Sequence, residues 1–212
     1  PPSSKKTGWY LPEVAHPYHV LTEGGFSIVF ATPDGGKAPL DPGSVEAFKE
    51  DAICTAFLAN PEVMAAIDAT VTIASLSAAD FAAVVFPGGH GPMWQHDSPT
   101  VSELTTTVHG AGGVVGAVCH GTVWLLSIKD AAGEAFVKGK RVTSFTNAEE
   151  EAVGLTAAMP FPLETRLVEQ GAEFVGADNW AVNVVVDGKV VTGQNPASAT
   201  GMAEEILKLL KA

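Results

Sequence analysis

The chain has 212 residues, enough for one compact domain that buries about 70% of its extended-chain surface and too few for two domains of ordinary size. Hydrophobic residues make up 46% and charged residues only 17%, which excludes an intrinsically disordered chain. Twelve basic against twenty-four acidic side chains leave a net charge of −12, a field that repels phosphate backbones and anionic headgroups, so neither nucleic acid nor a membrane surface is an expected partner.

The opening PPSSKKTGW lacks the apolar stretch of a secretion signal, and no apolar run approaches the roughly 18 residues of a bilayer span; a cytoplasmic protein is expected. From there the pattern predicts a helix over 12–24, a strand over 26–33, helices over 44–60 and 61–66, and a strand over 82–89. A helix over 98–111 and a strand over 112–121 follow, then an unusually apolar helix after His120. The rest reads as a strand over 141–146, helices over 148–153 and 162–170, strands within 181–193, and a helix over 196–210. Strands alternating with helices predict a single α/β domain, residues 1–212, with a mostly parallel sheet covered on both faces. Residues 34–76 differ: turn-rich DGGK and DPGS and a helix with acidic residues read as a small insertion or cap. Asp187-Gly188 between two β-branched runs predicts a hairpin that ends the sheet. An α/β sheet of this type opens with a strand before its first helix, yet only eight residues precede Trp9, so either that strand lies upstream of this numbering or the sheet begins unusually.

The stretch GGVVGAVCHGTVWLL ends an apolar strand at Cys119 and starts a helix at once. Such a turn lifts a side chain clear of the sheet, and a helix N-terminus favours thiolate over thiol, so Cys119 is a candidate nucleophile with His120 beside it. The loop FPGGHGPMW follows another strand and belongs on the same rim, where ligands of parallel sheets bind. The N–H groups of Gly88 or Gly89 and of His120 or Gly121 are candidates for an oxyanion hole, and His90 for a pocket wall. Glu13 lies near the start of the first helix, after Pro12. Glu13 and His16 lack a third ligand at a recognisable metal spacing, so no metal is expected, and Cys54 reads as packing. The run Glu149, Glu150, Glu151 follows a strand end; three consecutive acids usually form a solvated face, but here one of them can orient His120, and spacing leaves open which.

Together, TGWYLPEVAHP, FPGGHGPMW, AVCHG, SFTNAEEEAVG and the terminal TGQNPASA resemble the ThiJ/PfpI, or DJ-one-like, superfamily over nearly the whole chain. The opening and the Cys-His-Gly elbow are similar to the branch of fungal heat-shock chaperones and glutathione-independent glyoxalase III. The resemblance implies a flavodoxin-like three-layer sandwich, a homodimer, and a cytoplasmic location with the nucleus as a second compartment. It implies nucleophile Cys119, histidine His120, buried glutamate Glu13 and triad acid Glu150, and no cofactor. The zinc-binding cap of some bacterial relatives has no counterpart, so zinc is not carried over. The implied activity is conversion of methylglyoxal or a similar 2-oxoaldehyde to a 2-hydroxy acid, with a small aldehyde as substrate. Alternatives are a holdase that binds unfolded proteins, a redox sensor, and a peptidase, amidase or isonitrile hydratase using the same triad.

Overall fold

The computed structural model describes residues 6–130 and 132–212. In chain order the elements are α1 (Leu11–Glu23), β1 (Ala31–Thr32), α2 (Pro42–Ala47), α3 (Ala52–Ala59), α4 (Pro61–Asp68), β2 (Val71–Thr72), β3 (Ala83–Phe86), α5 (Pro99–Gly110) and β4 (Val114–Val118). They continue with a 3₁₀ segment (Cys119–Leu126), β5 (Arg141–Val142), α6 (Asn147–Ala152), α7 (Leu163–Glu169), β6 (Glu173–Phe174), β7 (Val184–Asp187), β8 (Val190–Gly193) and α8 (Ala199–Lys211). The main sheet has the order β3-β4-β8-β7; the first three strands run parallel, and β7 returns antiparallel through the Asp187-Gly188 turn. Two short parallel pairs, β1-β2 and β5-β6, flank it.

Strand β4 shows why this is a three-layer sandwich. Its alternate residues Val114 and Val118 pack with Leu21 of α1 and Met202 and Ile206 of α8. Val115 and Ala117 point the other way, into a cluster with Val101 of α5 and Leu163 and Leu167 of α7. Every residue of the strand is buried, as expected where helices cover both faces. At Gly116 a Cβ would collide with the Ile206 side chain, so the missing side chain is what lets α8 approach the sheet.

Several predicted boundaries shift for local reasons. The helix expected over 44–60 is two helices, because Asp51 caps a new start by accepting from the Cys54 N–H at 2.8 Å, while Asp41 caps α2. The apolar helix expected after His120 is a tight 3₁₀ segment buried along its whole length. Strand 26–33 is regular only at Ala31–Thr32, and β2 and β6, two residues each, carry too little pattern to be read in advance. The region 34–76 contributes α2, α3, α4 and β2, and its Cys54, Phe57, Val63 and Ile67 close a third core cluster around Trp9, Leu11 and Ala15. Trp9 makes an isolated parallel bridge with Leu40; residues 1–5 lie outside the described part of the chain. A cavity of about 530 Å³ lies between the chain around Phe26–Thr32 and β3, and Glu13 lines it.

Candidate active site

Cys119 sits at the carboxyl end of β4 with φ +56, a left-handed conformation that a side chain with a Cβ adopts only under constraint. The constraint is the abrupt change from extended strand at Val118 to 3₁₀ helix. Gly121, two residues on, packs where a Cβ would collide with the Phe86 carbonyl, so this glycine lets the elbow close against the end of β3. That close approach accounts for a glycine at position 121.

From the sulfur a chain of contacts runs outward. Cys119 Sγ lies 3.3 Å from His120 Nδ1, and His120 Nε2 lies 2.6 Å from Glu150 Oε2. The other Glu150 oxygen, Oε1, is 3.0 Å from His90 Nε2, and the His90 and His120 rings are 4.1 Å apart. His90, expected on a pocket wall, also reaches the Glu150 carboxylate, a contact that no spacing rule suggests. Burial acts to raise the Glu150 pKa, but the hydrogen bonds from His120 and then His90 overcome it and hold the group down at about 2. His120 is 1% exposed, and burial lowers it to about 4 against the pull of Glu150, so the imidazole is neutral at neutral pH. With Nε2–H donated to a carboxylate, Nδ1 presents its lone pair to the thiol.

Glu13 closes the site from the other side. The start of α1 is pinned by Tyr10 N–H donating to the Gly88 carbonyl at 3.1 Å and Leu11 N–H donating to Ser44 Oγ at 3.0 Å. This brings Glu13 Oε2 to the Gly88 N–H at 2.8 Å. Gly88 is tightly enclosed: a Cβ there would overlap Glu13 Oε2 and crowd the Val118 carbonyl and Cys119 Cβ. Its N–H is therefore spent on Glu13, which removes Gly88 from the candidate oxyanion donors. Glu13 is wholly buried, and burial pushes it up to about 8, partly offset by the thiol and the Gly88 N–H. Its Oε1 has no hydrogen-bond partner of ordinary geometry.

Cys119 is 4% exposed. Burial first, and then the Glu13 charge, push its thiol well above the usual range, while the backbone N–H groups of His120 and Gly89 oppose the rise. The expectation of a thiolate favoured by a helix N-terminus is thus reversed: desolvation outweighs the dipole of a short 3₁₀ segment, and Glu13 and Cys119 cannot both ionise cheaply. Gly89, at φ +91 and with no room for a Cβ beside the Gly8 carbonyl, turns its N–H toward the sulfur, leaving Gly89 and His120 as the donors beside it.

The three consecutive glutamates have different surroundings. Glu149 is fully buried as the far arm of a capping box with Thr146, and its Oε1 also accepts from Trp180 N–H at 2.9 Å and Asn195 Nδ2 at 2.9 Å. Glu151 is exposed, and Glu150 alone of the three reaches His120. The pattern Thr146-x-x-Glu149 was the available signal that Glu149 caps a helix. Tyr10 is a neighbour that sequence reading did not single out; burial, then Glu13 and Cys119, raise its phenol to about 12, so it stays protonated.

The model of the DJ-1/PfpI family matches residues 10–209. Glyoxalase 3 of Candida albicans is 30% identical over 211 residues, covering 96% of this chain and 89% of that protein. The glutathione-independent glyoxalase hsp3102 of Schizosaccharomyces pombe is 32% identical over 222 residues, with 99% and 91% covered. Among solved structures, the Rapid Encystment Protein 24 KDa of Francisella tularensis matches with a TM-score of 0.94 at 36% identity, covering 99% of this chain and 92% of that one. Glyoxalase III of Candida albicans matches with 0.85 at 28% identity, over 97% and 89%. Family model, relatives and solved structures agree over nearly the full length, and the chain belongs to the DJ-1/PfpI family.

Proposed function

We propose that the protein is a glutathione-independent glyoxalase of the glyoxalase III type, a lyase that converts methylglyoxal or a similar small 2-oxoaldehyde to the 2-hydroxy acid. The observation that carries this reading is the unbroken line Cys119–His120–Glu150, with neutral Glu13 facing the sulfur from the opposite side. The similarity to relatives named as glyoxalases supports it.

The resting state has Cys119 as thiol, His120 neutral and Glu13 as carboxylic acid. His120 Nδ1 takes the thiol proton as sulfur bonds to the aldehyde carbon, and Glu150 stabilises the imidazolium. Glu13 gives its proton to the new alkoxide, forming a hemithioacetal, while the N–H groups of Gly89 and His120 face the charge that develops on oxygen. The Glu13 carboxylate then removes the hydrogen from that carbon, and His120 returns its proton to the neighbouring carbonyl oxygen, giving an enediol. Glu13 redelivers the proton to the second carbon as His120 takes the first hydroxyl proton, leaving a thioester. Water attacks it, its proton passes to Glu13, and the departing sulfur recovers a proton from His120. The sum is one 2-oxoaldehyde plus one water to one 2-hydroxy acid, with no redox cofactor in the balance.

A thiol that is 4% exposed favours small substrates, because a bulky acyl group has no open approach to it. The test is incubation with methylglyoxal without glutathione, followed by assay for lactate. Stoichiometric lactate is expected; none at any pH between 6 and 9 overturns the reading.

A further inference from the structure

A second cluster of nucleophilic and basic groups lies at the junction of α1, α3 and α8, away from the elbow. His16 Nε2 is 3.1 Å from Asp51 Oδ2 and 3.8 Å from Cys54 Sγ, and all three atoms lie within 4.8 Å of one another. Each is fixed from behind. Thr200 Oγ1 of α8 is 3.1 Å from His16 Nδ1, Asp51 Oδ1 accepts from the Cys54 N–H at 2.8 Å, and Cys54 is fully buried among the apolar residues of the third cluster. We propose that His16, Asp51 and Cys54 form a three-ligand site for a Zn²⁺-class divalent cation, with the fourth position open to water.

Three arguments carry this. Without a cation, the His16 ring and the Cys54 thiol both hydrogen-bond Asp51. Once the thiol gives up its proton and the imidazole keeps its own on Nδ1, facing Thr200 Oγ1, the atoms Nε2, Oδ2 and Sγ turn three lone pairs on one centre, which a cation satisfies. Next, ligand bonds of about 2.0 Å to nitrogen and oxygen and about 2.3 Å to sulfur, at tetrahedral angles, place nitrogen roughly 3.3 Å from oxygen and 3.6 Å from sulfur. The observed 3.1 and 3.8 Å need adjustments of only tenths of an ångström. Finally, thiolate and carboxylate together neutralise a dication, and a histidine whose other nitrogen is held by a neighbour has the outer support that metal-bound imidazoles use. The side chains of His16 and Asp51 keep 14% and 28% exposure, which leaves a route for the ion and a water.

Binding must displace the Cys54 thiol proton to solvent, one per site, so affinity rises with pH. Without a cation, burial and then Asp51 hold that thiol at about 12, which makes Cys54 inert as a free nucleophile. The ligands come from positions 16, 51 and 54, a spacing in which Glu13 and His16 alone offer no third member; the fold supplies it by packing the N-terminus of α3 against α1.

The experiment uses the full chain carrying Cys119→Ala, so that Cys54 is its only thiol. Titration with Co²⁺ should give a sulfur-to-cobalt charge-transfer band saturating at one equivalent and displaced by Zn²⁺. Zn²⁺ at about 100 times its Kd should raise Tm by roughly 5–10 °C. His16→Gln in the same background should abolish the band with its circular dichroism unchanged, and Cys54→Ser should abolish the Tm rise. No band at saturating Co²⁺, a band that survives His16→Gln, or a Tm rise that survives Cys54→Ser would each overturn the site. The last would move the cation to His90, His120 and Glu150.

Discussion

Glu150 Oε2 grips His120 Nε2 at 2.6 Å, and this contact decides which imidazole nitrogen faces Cys119. Because the carboxylate is held at about 2, it stays an acceptor through the whole neutral range and keeps the proton on Nε2. Glu150→Gln keeps the shape but can donate as well as accept, so the tautomer is no longer enforced. The expected loss in kcat is about 10²- to 10⁴-fold, with Tm close to that of the unaltered protein. Steady-state kinetics with thermal melts checks it, and a loss below tenfold would reassign His120.

Cys119→Ala should remove lactate formation entirely and leave far-ultraviolet circular dichroism unchanged, since Cys119 carries its left-handed φ for reasons of chain path. Turnover retained by this variant would rule out the covalent intermediate.

Glu13→Gln should lower kcat at least about 10²-fold, because the amide cannot relay a proton. It should also make Cys119 easier to ionise, because the negative charge that raises the thiol is gone. Alkylation of the thiol by a small haloamide, followed against pH by intact mass, should therefore shift to lower pH in the variant. A curve that does not move, with kcat unaltered, would pass the proton relay to His120.

The raised Glu13 also makes a statement about stability. Its folded value of about 8 stands above the ordinary 4.5, so the unfolded chain binds fewer protons between those limits. By linkage, Glu13's contribution is fully present below pH 4.5 and is lost as pH rises toward 8, a loss of a few kcal/mol. His120 acts in the opposite sense: its folded value of about 4 stands below 6.5, so its contribution is present above pH 6.5 and lost as pH falls toward 4. Urea denaturation from pH 5 to 8 should show Glu13→Gln gaining stability over the unaltered protein as pH rises. A constant difference across that range would mean that Glu13 is already ionised in the fold.

Glu149→Ala, one residue from the carboxylate that holds His120, should act on the fold instead. It leaves the Thr146, Trp180 and Asn195 donors without their acceptor and should cost about 3 kcal/mol. Thermal melts should show a fall of roughly 6–12 °C. A melting point within a degree or two of the parent would mean that water replaces the carboxylate.

Much of the molecule was legible before any coordinates. Apolar runs spaced by amphipathic ones prescribe covered parallel strands, Asp187-Gly188 prescribes the final hairpin, and a glycine-flanked Cys-His at a strand end prescribes the elbow. Those are local consequences of side-chain period and backbone freedom, and they survive in any fold that uses them. What packing alone decided spans long stretches of chain: Glu13 to Gly88 across 75 residues, His120 to Glu150 across 30, His16 to Cys54 across 38. Burial belongs to the same class. Whether a thiol is raised or lowered depends on how completely neighbours strip it of water, and no spacing along the chain encodes that balance. So the residue types and their order determined what chemistry was available, and the closing of α1 and the 87–90 loop over the elbow determined which nitrogen, which carboxylate and which backbone N–H are brought together there.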